Sequence, residues 1–200
     1  MNKEAFYGNI KNSLFHGILS QPQIEGMEAI LDASAIVSTN ELAYILATIY
    51  HETAKTMQPI EEYGKGKNRT YGHKVKINGK PYSNTYNIFY GRGFVQLTWY
   101  DNYEKMGKII GEDLINHPEL CLTIPIATKI CYAGMIGGLF TGKKLKDYFT
   151  ETTDFINARR IINGVKKGET HKDKNGNLIP DMADIIEGYA NNFLSALKED

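Results

Sequence analysis

The segment from residue 40 to residue 54 constrains the fold most, because its apolar residues recur at the spacing of an α-helix. The residues that define this pattern are Leu42, Ile45, Leu46 and Ile49. Such spacing predicts one buried stripe along a helix. The polar residues 51–53 end the stripe, so we expect Glu52 to lie at the C-terminal end of a core helix, rigidly held and close to the surface.

Six further segments show helical patterns, so the chain is predicted to be mostly helical. These segments are roughly 3–16, 21–33, 101–110, 124–140, 152–162 and 181–198. Pro22 is predicted to open the second helix, and Thr39 or Asn40 to cap the third. A chain of 200 residues with 42% hydrophobic composition can bury one sizeable core, but it is too short for two ordinary enzyme domains and a linker. We therefore predict a single domain over residues 1–200.

The stretch from about residue 63 to residue 90 departs from the helical pattern. It is rich in Gly, Lys, Asn and Tyr, and Asn78-Gly79 separates the runs 74–77 and 80–82, which predicts a hairpin on a tight turn. Long exposed excursions of this kind more often carry function than stability. The predicted fold class is mainly α, with a helical core and a small hairpin-bearing lobe inserted at 63–90. A groove between the two is the expected ligand site.

Charge is balanced over the whole chain but uneven along it. The 23 basic and 23 acidic residues cancel, so the net charge indicates no class of partner. Between Glu62 and Asp101 there is no acidic residue, and we expect a locally positive surface there. The basic residues of this stretch are Lys65, Lys67, Arg69, Lys74, Lys76, Lys80 and Arg92. Because no nucleic-acid-binding motif accompanies them, we predict no nucleic-acid partner.

Several other kinds of site are not expected. His51 has no second histidine four residues later, so we predict neither a metal nor a cofactor. The loop that begins at 173–177 lacks the glycine at the sixth position and the glutamate at the twelfth position of a calcium loop. Cys121 and Cys131 are predicted to be reduced packing residues. Without a secretion-signal pattern or an apolar run of about 20 residues, we expect a monomer made and kept in the cytoplasm, with no membrane insertion.

Glu52 and Glu61 are the predicted chemical pair. Hydrolysis of a glycosidic bond takes one protonated carboxyl for the leaving oxygen and a second carboxylate that activates water or attacks the sugar. At the end of an apolar helix, partial burial would favour the neutral form of Glu52. Glu61 lies past Pro59, in a loop where solvent would keep it charged. Glu62, adjacent to Glu61, remains an alternative.

Four separated motifs, in order between about residues 20 and 165, resemble the chitinases of glycoside hydrolase family 19 and, more closely, their phage endolysin relatives. The motifs are 46–53 (Leu-Ala-Thr-Ile-Tyr-His-Glu-Thr), 90–99 (Tyr-Gly-Arg-Gly-Phe-Val-Gln-Leu-Thr-Trp), 102–103 (Asn-Tyr) and 158–164 (Ala-Arg-Arg-Ile-Ile-Asn-Gly). The resemblance implies a lysozyme-like α+β fold and a single catalytic domain. The disulfides of the plant enzymes have no counterpart here, and 165–169 departs from the family pattern.

The resemblance also implies roles for particular residues. Glu52 would be the general acid, Glu61 the general base, and Thr98 would help to hold the attacking water. The predicted substrate-binding residues are His51, Tyr90, Gln96, Asn102 and Asn163. Amide side chains donate and accept hydrogen bonds, which suits the hydroxyl and N-acetyl groups of an amino sugar. Members of this type invert the anomeric centre, which predicts roughly 6.5–9.5 Å between the two carboxyl groups.

The function that these features predict is that of a bacteriophage endolysin of the lysozyme type, which hydrolyses β-1,4 bonds in peptidoglycan glycan strands. The carboxylates of peptidoglycan would match the positive lobe, whereas chitin carries none. Such an enzyme would wait in the host cytoplasm and reach the cell wall only after a membrane pore opens. A bacterial chitinase, and a glycan-binding protein without catalytic activity, are the alternatives.

Overall fold

The computed structural model describes residues 2–71, 88–163 and 182–199, together with the short strands at 76–77, 80–81, 171–172 and 178–179. The α-helices among these residues are α1 (Lys3–Ser13), α2 (Gln21–Asp32), α3 (Thr39–Glu52), α4 (Tyr100–Ile110), α5 (Ile124–Gly137), α6 (Phe155–Ala158) and α7 (Met182–Leu197). Each of the seven helical patterns in the sequence therefore corresponds to a helix. The boundaries differ by a few residues, for reasons that the caps explain.

The helix boundaries are set by capping residues that the sequence prediction placed imperfectly. Ser38 caps α3, because its side chain accepts from the Glu41 amide while Glu41 accepts from the Ser38 amide. This reciprocal arrangement is a capping box, so the prediction of Thr39 or Asn40 as the cap is wrong. Helix α5 ends before Gly138, which caps its C-terminus. The φ of Gly138 is 66°, a left-handed conformation that favours glycine. The helix predicted to reach residue 140 is therefore shorter.

Helix α3 lies at the centre of the core, and residues 41–50 along it are all buried. It packs chiefly against α7. There the Tyr50 ring makes T-shaped contacts with Tyr189 and Phe193, with ring centroids 4.7 Å and 6.0 Å apart. The Tyr50 hydroxyl also donates to the Leu14 carbonyl at 2.5 Å. Buried aromatic side chains with satisfied hydroxyl groups fix a helix firmly. The C-terminal end of α3, which carries Glu52, is consequently held in place by the core.

The strands are short and pair antiparallel. Strand β1 (Ile60–Glu61) pairs with β4 (Arg92–Gly93), which brings Arg92 opposite Glu61. The predicted hairpin is confirmed by β2 (Lys76–Ile77) and β3 (Lys80–Pro81), which pair with Ile77 opposite Lys80. Strands β5 (His171–Lys172) and β6 (Leu178–Ile179) form a third pair. The turn at 78–79 and the segments 165–169 and 173–177 lie outside the described residues.

Short 3-10 turns at Ser34–Ile36, Pro118–Leu122, Leu145–Asp147 and Arg159–Ile161 connect these elements. Cys121 and Cys131 are free and buried, as predicted. Across the described part of the chain, no helix has the length and apolar character needed to cross a bilayer.

Candidate active site

Glu52 forms an ion pair with an arginine from the other end of the chain. The Arg159 Nη1 atom donates to Glu52 Oε1 at 2.5 Å, and the exposed fractions of the two side chains are only 6% for Arg159 and 17% for Glu52. Partial burial of Glu52 was expected, but a neighbouring cation was not. The helix end is shielded as predicted, but the group that shields it carries a positive charge.

A second contact from α3 fixes the backbone that carries Arg159. The Tyr44 hydroxyl donates to the Ala158 carbonyl at 2.7 Å, and both groups are buried. Tyr44 and Glu52 lie eight residues apart on α3, which places them two turns apart on about the same face of the helix. This face therefore holds residues 158 and 159 at two points. The backbone N–H of Asn163 in turn donates to the Arg159 carbonyl at 3.0 Å. This bond links Asn163 to the ion pair of Glu52 and Arg159.

Glu61 lies at the end of β1 and has two hydrogen-bonding partners of different kinds. The Tyr90 hydroxyl donates to Oε1 at 2.5 Å, and the Lys65 ammonium donates to Oε2 at 2.7 Å. Lys65 lowers the pKa of Glu61 most, Tyr90 adds to this effect, and burial opposes it. Hydrogen bonds and a nearby cation favour the charged carboxylate. Glu61 is thus held ionised by specific partners and not by solvent alone.

Arg92 is an internal part of this site. It is only 6% exposed, its guanidinium carbon lies 3.7 Å from the centre of the Tyr90 ring, and its Nε lies 4.0 Å from Glu61 Oε1. Its Nη1 donates to the Ile88 carbonyl and to the Tyr103 hydroxyl. Arg92 therefore adds to the positive charge of this stretch from within the fold and not at the surface. Its charge faces inward, where it orients Tyr90 and adds to the positive potential at Glu61.

Glu62 is occupied by contacts within the fold. Its Oε2 accepts from the Gly91 amide at 2.9 Å, and its Oε1 accepts from the Tyr71 hydroxyl at 3.1 Å. A carboxylate that binds a backbone amide and a neighbouring hydroxyl fastens the segment before β4 to the end of β1. Of the two adjacent glutamates, Glu62 has the surroundings of a structural residue.

Gln96 also braces the strand that carries Glu61. Its Nε2 donates to the carbonyls of Ile60 at 3.0 Å and Gly93 at 3.1 Å. Gly91 has no room for a side chain, since a Cβ there would lie 2.8 Å from the Gln96 Oε1 atom. The amide predicted to bind sugar thus has its nitrogen bound to the backbone of β1 and β4.

Of the other predicted site residues, Thr98 and Asn102 contact each other, and His51 and Asn163 lie beside Glu52 and its partner Arg159. Asn102 donates from Nδ2 to the Thr98 carbonyl at 2.9 Å, so the first turn of α4 fixes the backbone of Thr98. Asn163 is exposed and follows the Arg159 turn. His51 is half-buried beside Glu52, and burial lowers its pKa. The structure thus groups His51 and Asn163 with Glu52, and Tyr90 and Gln96 with Glu61.

A family model described as Chitinase class I, of glycoside hydrolase family 19, matches residues 24–136, which is more than half of the chain. The chain belongs to glycoside hydrolase family 19. The predicted resemblance is thereby confirmed at the level of the family. The matched range includes Glu52, Glu61 and Thr98, but it ends before Arg159 and Asn163.

Curated relatives match parts of this chain. An acidic 27 kDa endochitinase from Solanum lycopersicum is 33% identical over 82 residues, which are 36% of this chain and 33% of the relative. An endochitinase A2 from Pisum sativum is 47% identical over 38 residues, 19% of this chain and 12% of the relative. The match thus spans a third or less of the length of these relatives.

Solved structures of the family share the fold. Chitinase C from Streptomyces griseus superimposes with a TM-score of 0.64 at 20% identity, covering 98% of this chain and 76% of that one. A class IV chitinase from Zea mays gives a TM-score of 0.59 at 20% identity, covering 98% and 92%. These likenesses confirm the predicted mainly helical, lysozyme-like fold class.

Two residues of this family 19 site were missed by sequence reasoning. The sequence indicates Lys65 only as part of a positive stretch, although its place four residues after Glu61 is a signal for an ion pair. Arg159 lies 107 positions after Glu52. Its presence in a motif, 158–164, was the only available signal, since nothing local indicates which carboxylate it meets.

Proposed function

We propose that this family 19 protein hydrolyses β-1,4 bonds between N-acetylated amino sugars with inversion at the anomeric carbon. The observation that supports this most is the way in which its two glutamates are held. Glu61 is held ionised by Lys65 and Tyr90, as a general base must be, while Glu52 is fixed at the end of a core helix. Glu62, the alternative base, is occupied by the fold.

In the proposed reaction each carboxyl group moves one proton. Glu61 takes a proton from a water molecule positioned with help from Thr98, and the water oxygen bonds to the anomeric carbon. The bond from that carbon to the leaving oxygen breaks, and Glu52, which must first take up a proton beside Arg159, gives that proton to this oxygen. Since Arg159 binds Oε1 of Glu52, we assign proton delivery to Oε2. A carboxyl separation of about 6.5–9.5 Å is expected for this geometry.

We infer that the polymer is peptidoglycan and that the protein acts as an endolysin. Support comes from the turn after Glu61, which presents Lys65, Lys67 and Arg69 on the surface. A positive surface beside the base would attract the carboxylates of peptide stems, which chitin lacks. A bacterial chitinase is the second candidate, and the names of the relatives favour it, because those proteins are called endochitinases.

A side-by-side assay tests both candidates. Purified peptidoglycan and colloidal chitin are incubated with the wild type and with Glu52→Gln, and released fragments are identified by mass spectrometry. We expect wild-type activity on peptidoglycan and about a 100-fold or larger loss in the variant, the range for a general acid. Faster release from chitin would establish the second candidate. Equal clearing by both proteins would contradict the assignment of Glu52.

Ionic strength tests the electrostatic part of the inference. Added salt screens exposed charges beyond about 8–10 Å, so cleavage of peptidoglycan should weaken between low and high salt. A neutral chitin oligosaccharide provides the control, because its binding should change little. Activity on cell walls that is independent of salt would remove the support that the basic turn gives to the endolysin assignment.

A further inference from the structure

The turn that follows β1 has a backbone conformation that is unusual for its sequence. Lys65 has a positive φ of 48°, between Gly64 at 82° and Gly66 at 70°. A non-glycine residue in this region is disfavoured, and such conformations cluster at functional sites where the surrounding structure enforces them. Hydrogen bonds from the amide of Lys65 to the Glu62 carbonyl and from that of Lys67 to the Gly64 carbonyl, both 2.9 Å, hold the turn.

This conformation brings the Lys65 ammonium to Oε2 of Glu61, whereas the Tyr90 hydroxyl binds Oε1.

The two partners of Glu61 differ in how firmly they are held. Tyr90 is 8% exposed, with Arg92 stacked on its ring and the Tyr103 hydroxyl bound to its carbonyl. The Lys65 side chain is 62% exposed. Contacts of exposed lysines are weak because solvent competes for both charges. Lys65 can therefore leave Glu61, whereas Tyr90 stays.

We propose that Lys65 is a positioning residue for Glu61, which holds the carboxylate before substrate binds and then yields Oε2 to the attacking water. This inference rests on the proposed function, in which Glu61 is the general base. A carboxylate oxygen can accept from more than one donor, but a water molecule in line with the anomeric carbon needs a lone pair that the ammonium group does not block. Tyr90 keeps Oε1 in place throughout.

The charges around Glu61 determine how removal of Lys65 should affect the pH dependence. The groups that face its carboxylate are Lys65, Tyr90 and Arg92, and Lys65 contributes most to the lowered pKa. Loss of the ammonium group raises the pKa of Glu61 toward its ordinary value. Because the base must be ionised, the acid limb of the kcat/KM profile should then move to higher pH, while activity well above that limb is retained.

The test compares Lys65→Met with Lys67→Met, a matched control that removes an exposed lysine from the same turn. On the acid limb we expect kcat/KM of Lys65→Met to fall about two- to fivefold, the effect of losing one exposed ion pair. Lys67 belongs to the proposed peptidoglycan-attracting surface, so Lys67→Met should lower kcat/KM on peptidoglycan by a similar factor at every pH and leave the acid limb in place. Lys65→Arg should restore the wild-type acid limb. A loss in Lys65→Met that is equal at every pH, or an acid limb that moves as far in Lys67→Met, would overturn the proposal.

Titration of the Glu61 carboxyl carbon by NMR gives a readout that does not depend on activity. The Glu61 resonance is expected to titrate at higher pH in Lys65→Met than in the wild type. If the wild type cuts neither polymer, the proposed function is wrong, but the titration still decides whether Lys65 controls this carboxylate. If the enzyme is active and the titration of Glu61 is the same in Lys65→Met as in the wild type, the role of Lys65 is refuted and the proposed function is not.

Discussion

The two glutamates of the candidate site each bind a cation, but the cations come from opposite kinds of structure. Glu52 ends a long buried helix and meets Arg159, 107 residues later, with 6% of the arginine side chain exposed. Glu61 ends a two-residue strand and meets Lys65, four residues later, with 62% of the lysine side chain exposed. The first pair is part of the packed core, whereas the second lies at the surface and can open.

The largest effect is expected from removing the charge of Glu61. The same change at Glu62 provides the comparison. Glu61→Gln removes the proposed base and should lower kcat about 10²–10⁴-fold. Glu62→Gln keeps an acceptor for the Gly91 amide and should retain most activity. Steady-state kinetics on the preferred polymer measures both variants, with circular dichroism to confirm that each is folded.

These neighbouring substitutions also provide the result that would reverse the assignment. If Glu62→Gln loses activity and Glu61→Gln keeps it, then the contacts of Glu62 with Gly91 and Tyr71 do not restrict it to a structural role. Glu62 would then be the general base. Lys65 would bind a carboxylate, Glu61, that takes no part in the reaction.

The next largest effect is expected on stability, from Arg159→Met. This change leaves the Glu52 carboxylate without its cation at a site where only 17% of its side chain is exposed. Removing one partner of a buried pair typically costs about 3–5 kcal/mol. We therefore expect the free energy of unfolding to fall by about that amount in urea denaturation. Arg160→Met, at the neighbouring half-buried arginine, is the control and should change it far less.

A double variant sharpens the comparison between the two pairs. Glu52→Gln combined with Arg159→Met removes both charges, so part of the lost stability should return. The same cycle at Glu61 and Lys65 should show much weaker coupling, because solvent screens that pair. If the two coupling energies are equal, then the distinction between a core pair and a surface pair does not hold.

Much of the fold could be predicted from the sequence because helical periodicity is a local signal. The apolar stripe in α3 indicates a buried face, the pattern at 181–198 predicts α7, and both helices lie where the patterns place them. The hairpin was predicted because Asn-Gly favours a tight turn. Helix ends were less well predicted, since the cap of α3 depends on the reciprocal contact between Ser38 and Glu41.

The surroundings of the site could be predicted only in part, because they depend on contacts between distant residues. Burial of Glu52 followed from the helix, but the identity of its neighbour did not, since Arg159 comes from a separate turn after α6. The pairing of β1 with β4 likewise has no local signal, as each strand has two residues. That pairing converts Arg92 from an apparent surface charge into an internal support for Tyr90.

The smallest effect is expected at His51, on the dependence of stability on pH. Burial lowers the pKa of His51; the Glu52 carboxylate opposes this and the Arg159 charge adds to it. When a histidine has a lower pKa in the folded state, the unfolded chain binds more protons just below the ordinary value of about 6.5. Stability is therefore lost as the pH falls through that value.

His51→Gln should remove this loss, a difference of at most about 1 kcal/mol, measured by urea unfolding at about pH 7.5 and about pH 5. His16→Gln, at an exposed position, is the matched control. Combination with Arg159→Met separates the two causes, because burial remains when the arginine charge is removed. A His51→Gln protein that loses as much stability on acidification as the wild type would show that the ion pair, and not the buried imidazole, dominates the acid response at this end of α3.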